Sequence, residues 1–222
     1  MKENEEQKNK QEKRNETIEK KYQEEFDHLI VETGRLKNEK SNEMNIIEEL
    51  TQTTFKQLIF DSPICNWKRK TSTFDKHIFD KDKLAFLVED EKGNIFGGYI
   101  HSKIDKYYFT NENEWKKESI CDMNSFVFYL QKEGKEIESI KYSIKKEERE
   151  NAFKLYGRES RILFSIGNDI NVMKENFKNH CYCEDDIKRI SFDYSQNEEM
   201  STKGKFTPKR IQVYQMEERK YL

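Results

Sequence analysis

The chain has 222 residues, of which 41 are basic and 43 acidic, for a net charge of −2. That balance lacks the basic footprint of a nucleic-acid binder, and the length suits one sizeable folded unit with an appendage. No apolar run approaches the roughly 18 residues of a membrane-spanning helix, and the N-terminus has no signal-peptide core, so a cytoplasmic protein is expected.

Charged residues make up 38% of the chain and apolar ones 34%, so the polar excess must be concentrated somewhere if the remainder is to bury a core. It lies at the front. Of 15 Phe, 11 Tyr and 2 Trp, only Tyr22 and Phe26 precede residue 51. The expected organisation is therefore a charged, helical or partly disordered segment over residues 1–50 and a folded domain over 51–222. Within the first segment, Glu6 with Lys10 and Glu16 with Lys20 stand in favourable helical order. A heptad track runs from Tyr22, Phe26 and Leu29 to Ile47 and Leu50, with Thr33, Lys40 and Glu43 interrupting it and Gly34 in its middle. A helix docking on its own domain, or a solvated tail, ranks ahead of weak self-association through a coiled coil.

Ile46–Leu50 with Phe55, Leu58 and Ile59 predicts a short amphipathic helix, stopped at Pro63. Trp67-Lys68-Arg69-Lys70 reads as a solvated basic rim. Ser72 and Asp75 form a loose capping pattern, and Phe74 with Ile78 gives the apolar pair of one short helix. Leu84–Ile100 then predicts a β-hairpin at the centre of the fold, its first strand apolar enough to be buried on both faces. The adjacent Gly97 and Gly98 predict a glycine bulge. Asp105–Asn124 reads as a long loop. Strands are predicted over Ser125–Leu130, around Ile137–Ile144, and over Ala152–Tyr156, Arg161–Ile166, Asp169–Met173 and Ile187–Tyr194. A separate closing strand is predicted after Lys205-Phe206-Thr207-Pro208, with Ile211 and Val213 on one face, Tyr214 and Met216 on the other, and Pro208 at its entry. Seven or eight short strands with little helix between them predict an α+β, mostly β fold: a sandwich of two antiparallel sheets flanked by short helices and preceded by the charged N-terminal helix.

Catalytic signatures are missing: there is no G-x-S-x-G, no phosphate-cradling loop and no H-E-x-x-H. His180-Cys181-Tyr182-Cys183-Glu184-Asp185-Asp186 holds zinc-type ligands, but one residue between the cysteines is a poor spacing, and Cys65 and Cys121 are isolated. Neither a metal nor a cofactor is expected, and the cysteines are expected to be free thiols. Cys121 has no cation beside it to favour a thiolate. His77 and His101 are assigned to the surface.

Five stretches, in order, resemble the TLDc domain family, over about Phe55 to Glu217. Lys70-Thr71-Ser72-Thr73-Phe74 is similar to its S-x-S-T-F. Gly93-Asn94-Ile95-Phe96-Gly97-Gly98-Tyr99 is similar to its G-x-x-F-G-G-Y hairpin, and Phe126 and Phe128 fall in a strand with an S-F-[LV]-F core. Gly167-Asn168-Asp169-Ile170 resembles a G-H-D-[LI] segment with Asn168 in place of His, and Phe206 through Lys209 to Tyr214 resembles the terminal F-x-x-K-x-[IL]-[EQ]-V-[FY]. The resemblance implies a two-sheet sandwich, no agreed catalytic residues, and a role in oxidative-stress resistance or in binding and regulating the vacuolar proton-pumping ATPase. It thereby implies a protein partner, with the chain held beside vacuolar or endolysosomal membranes through that partner. The expected function is a non-enzymatic regulator or adaptor. The alternatives are an oxidative-stress enzyme using Cys181 or Cys183 and a coiled-coil scaffold.

Overall fold

The computed structural model describes residues 42–106, 117–184, 190–195 and 204–219. Two six-stranded antiparallel sheets make up the fold. The first is ordered β1 (Thr53–Asp61), β12 (Pro208–Glu218), β2 (Leu84–Asp90), β3 (Ile95–Ile100), β5 (Phe126–Lys132) and β6 (Lys135–Ser143). The second is ordered β11 (Gly204–Phe206), β10 (Cys181–Cys183), β9 (Ile170–Met173), β8 (Ile162–Ile166), β7 (Phe153–Tyr156) and β4 (Lys117–Ile120). The expected mostly β sandwich is thus what the chain forms, with twelve strands among the described residues where seven or eight were expected. Apart from β1, the additional strands β4, β10 and β11 are three or four residues long, and so short a run carries almost no apolar periodicity.

Aromatic residues fill the space between the sheets. Phe74, on the short helix α2 (Phe74–Ile78), stacks on Phe164 at 5.2 Å and meets Phe60 edge-on at 4.8 Å. Phe86 lies 4.8 Å from Phe153 and 5.3 Å from Phe164, and Phe96 meets Phe206 edge-on at 5.1 Å. β2 is central, with Leu84 to Val88 buried on both faces, because an apolar layer covers the outer side of the first sheet as well. That layer is closed by α1 (Asn42–Thr51), which sets Met44 and Ile47 against Ala85, Leu87, Tyr99, Phe126 and Phe128.

α1 crosses the boundary expected at residue 50, and the strand after it replaces the helix expected around Phe55–Ile59. Gln52 takes a left-handed φ of 58°, which ends the helix, and the β-branched Thr53 and Thr54 start β1. Two register irregularities, at Phe55/Gln57 and Leu58/Phe60, shift the side-chain phase of β1, so its apolar residues fall at helix-like spacing. Two cations satisfy the C-terminal carbonyls of α1: Lys141 Nζ donates to Leu50 O at 3.2 Å and Arg219 donates to Glu48 O at 2.8 Å.

Other expectations are corrected. No bulge lies at Gly97 and Gly98: the β2–β3 register is unbroken through both, and the nearby irregularity falls at Ile95/Phe96 on the β5 side. The glycines serve close approach. A Cβ on Gly97 would overlap the Phe86 carbonyl and press on the Phe128 ring at 3.1 Å, and one on Gly98 would lie 2.8 Å from an Ile166 methyl on the facing sheet. The N-cap of α2 is Thr73 without a side-chain bond, and Ser72 Oγ instead accepts the Phe74 N–H at 3.2 Å. β4 lies within the expected 105–124 loop, and Lys146–Asn151 and Glu175–His180 are 3-10 helices. The described part of the expected Ile187–Tyr194 strand makes only one bridge, Phe192 to Ile144. The heptad track from Tyr22 to Lys40, residues Tyr107 to Trp115, and Asp185 with Asp186 lie outside the described residues.

Candidate functional site

The motif residues singled out in the sequence do not converge on one pocket; each sits at a joint of the fold. Phe74, Phe96 and Phe206 belong to the inter-sheet core, whereas Tyr99, Phe126 and Phe128 lie on the outer face beneath α1. Gly93 turns the β2–β3 hairpin at φ +80°, where a Cβ would lie 2.9 Å from the backbone nitrogen of Gly134 in the β5–β6 turn. Gly167, at φ +61°, lies in the β8–β9 turn, where a Cβ would lie 2.6 Å from the Phe192 ring. Lys209 pairs with Glu89 on the surface.

Three buried carboxylates are engaged with backbone N–H groups. Asp90 accepts from Lys92 and Asn94 at 2.8 and 2.9 Å, and Asp122 accepts from His101, Ser102 and Asn124 at 2.6 to 3.0 Å. Asp169 accepts from Ile190, Ser191 and Phe192 at 3.1 to 3.2 Å. Burial pushes the Asp169 carboxyl above the usual carboxylate range, and those N–H donors partly offset it. A carboxylate committed to two or three backbone donors positions the loops that carry those donors.

The thiols are poorly disposed for nucleophilic work. Cys181 is fully buried, accepts the Met173 N–H at 3.1 Å, and burial pushes its pKa up to about 12. Burial does the same to Cys65, also to about 12. Attack requires the thiolate, which both sites disfavour. Cys183 is buried beside Cys181 on β10, and Cys121 is exposed. Among the described residues, no three His, Cys, Asp or Glu side chains group as metal ligands. The His-Cys-Tyr-Cys stretch is split accordingly, with His180 ending a 3-10 helix and both sulfurs facing the interior.

The feature that sequence reasoning passed over is a basic corner. Three segments far apart in the chain meet there: the Asn66–Thr71 loop, the β7–β8 hairpin loop at Gly157–Arg161, and Lys174 with the 3-10 helix behind it. Backbone bonds fix them. Lys70 N donates to Arg158 O at 3.0 Å, Lys174 N to Arg161 O at 2.8 Å, and Glu175 N to Trp67 O at 3.2 Å. Asn176 Oδ1 takes the Arg69 N–H at 2.9 Å, and Asn66 braces its own loop by bonding Thr71 O at 2.8 Å and Lys68 N at 3.0 Å. Arg69 Nε reaches Glu159 O at 2.7 Å, and Arg161 lies over the Phe177 ring at 5.2 Å. Six basic side chains, Lys68, Arg69, Lys70, Arg158, Arg161 and Lys174, are thus assembled on one corner of a chain with a net charge of −2. Only the triplet Lys68–Lys70 was visible as a cluster in the sequence; the other three residues arrive by long-range pairing.

No protein-family model matches this chain, and no curated protein is significantly similar to it.

Proposed function

We propose that the chain is a TLDc-like regulatory or adaptor protein without catalysis of its own, and that it acts by binding a large protein assembly. The vacuolar proton-pumping ATPase is the first candidate, with oxidative-stress resistance as the cellular outcome. One observation carries the reading: the residues that make up the family-like motifs are used to build the sandwich. Asp169 and Gly167 lock a loop, Gly97 and Gly98 permit close packing, and the aromatic residues fill two apolar layers. A domain whose distinctive residues maintain its shape is suited to present a surface. The thiol-enzyme alternative draws less support, because Cys181 and Cys183 are buried and the Cys181 thiol is held protonated.

The test adds the purified full chain to vacuolar membrane vesicles and follows both its co-sedimentation and ATP-driven proton uptake. Binding together with a changed pumping rate is expected. A chain that stays in the supernatant and leaves pumping unchanged would overturn the ATPase reading.

A further inference from the structure

The corner already holds one carboxylate, its own. Glu159 lies 3.3 Å from Arg69 and 3.8 Å from Lys70. Against the six cations, Asp75 and Glu175 are the other carboxylates of the three segments and α2, so positive charge remains in excess among the described residues. Lys68 and Arg158 are exposed, and Lys70 is 65% exposed. Lys174 is buried at the same corner. It is 1% exposed, and its ammonium is held by the carbonyl oxygens of Gly157 and Arg158 at 2.7 and 2.9 Å, without a carboxylate. Burial pushes its pKa down to about 8, while the nearby charges offset one another, Asp75 and Glu159 against Arg69 and Arg158.

We propose that this corner is a docking site for an acidic peptide segment of another protein, whose carboxylates pair with Lys68, Lys70 and Arg158. That the partner is a protein rests on the adaptor reading above; the carboxylate chemistry rests on Glu159 and the surplus cations. The loops are braced by backbone bonds, so little ordering opposes binding. Single-stranded nucleic acid would call for open aromatic faces, but Trp67 is 6% exposed and Phe177 lies under Arg161. A lipid surface would call for an apolar tip beside the cations. Ile64, in the preceding turn, is the exposed apolar residue nearest in sequence, and a vesicle arm of the test addresses it.

The experiment titrates the full chain into a fluorescein-labelled octaglutamate peptide and reads anisotropy. Binding is expected to weaken as salt rises, and to weaken about tenfold or more in the double variant Lys68→Glu, Arg158→Glu. A control with the same change in net charge, Lys135→Glu with Lys146→Glu, should bind as the parent does, and circular dichroism should give both variants the parent's melting curve. No binding by the parent chain, or equal weakening in the control, would overturn the proposal. Preferential binding to phosphatidylcholine vesicles containing phosphatidylserine would overturn it in favour of a lipid surface. If the peptide binds through Lys68 and Arg158 while vacuolar vesicles do not respond, the ATPase reading falls and this site stands.

Discussion

Arg210, on β12, grips Asp61, the last residue of β1, with Nε 2.9 Å from one carboxylate oxygen and a terminal nitrogen on the other. Asp61 is 1% exposed, so its charge is removed from water and compensated by this fork. Arg210→Met should cost about 3 kcal/mol, because it strands a buried carboxylate. Asp61→Asn, which keeps the shape without the charge, should cost less. Urea unfolding of the two variants checks the order; equal small losses would mean that water reaches Asp61.

The two glycines of β3 should differ under the same substitution. Gly97→Ala puts a methyl group into a backbone carbonyl, which cannot move without parting β2 from β3, so little folded protein is expected. Gly98→Ala meets the Ile166 side chain at 2.8 Å and the Phe126 carbonyl at 3.1 Å, contacts that small shifts can relieve at a cost of about 1–3 kcal/mol. Soluble yield and melting temperature separate the two cases.

Ile47 is 1% exposed on the outer layer, so Ile47→Ala should cost roughly 2–5 kcal/mol. Removing residues 1–51 should do more, uncovering Tyr99, Phe126 and Phe128 and raising binding of a hydrophobic dye.

Lys174 should make stability rise with pH. In the unfolded chain it titrates at the ordinary 10.5, and burial brings it down to about 8 in the folded one. Between these values the unfolded chain keeps a proton that the folded chain has released, so raising the pH favours folding. The neutral amine still donates to Gly157 O and Arg158 O. The difference in urea midpoint between the parent and Lys174→Met should therefore change across pH 8 to 10.5 in the parent's favour; a constant difference would show that Lys174 stays charged.

How far the sequence is readable depends on whether an element's signal is local. The Leu84–Ile100 hairpin and the Phe126 strand carry their own apolar runs and turn residues, and both lie where the pattern puts them. β1 misleads because its two irregularities give a strand helical spacing, and β4 and β11 are too short to carry a period. Gly97 and Gly98 stand out in the sequence, but whether a glycine marks a bulge or a close approach depends on what lies opposite, here Phe86 and Ile166. The basic corner was the least legible feature, since Arg158, Arg161 and Lys174 join Lys68–Lys70 only after β7, β8 and β9 have paired.

Asp169 anchors both sides of a stretch of chain. Its carbonyl oxygen accepts the Glu184 N–H at 2.8 Å, and its carboxylate accepts the Ile190 N–H at 3.2 Å. One residue of the β8–β9 turn thus pins both the end of β10, by its backbone, and the Ile190–Phe192 segment, by its side chain, so Asp169→Ala would release the second while leaving the first held.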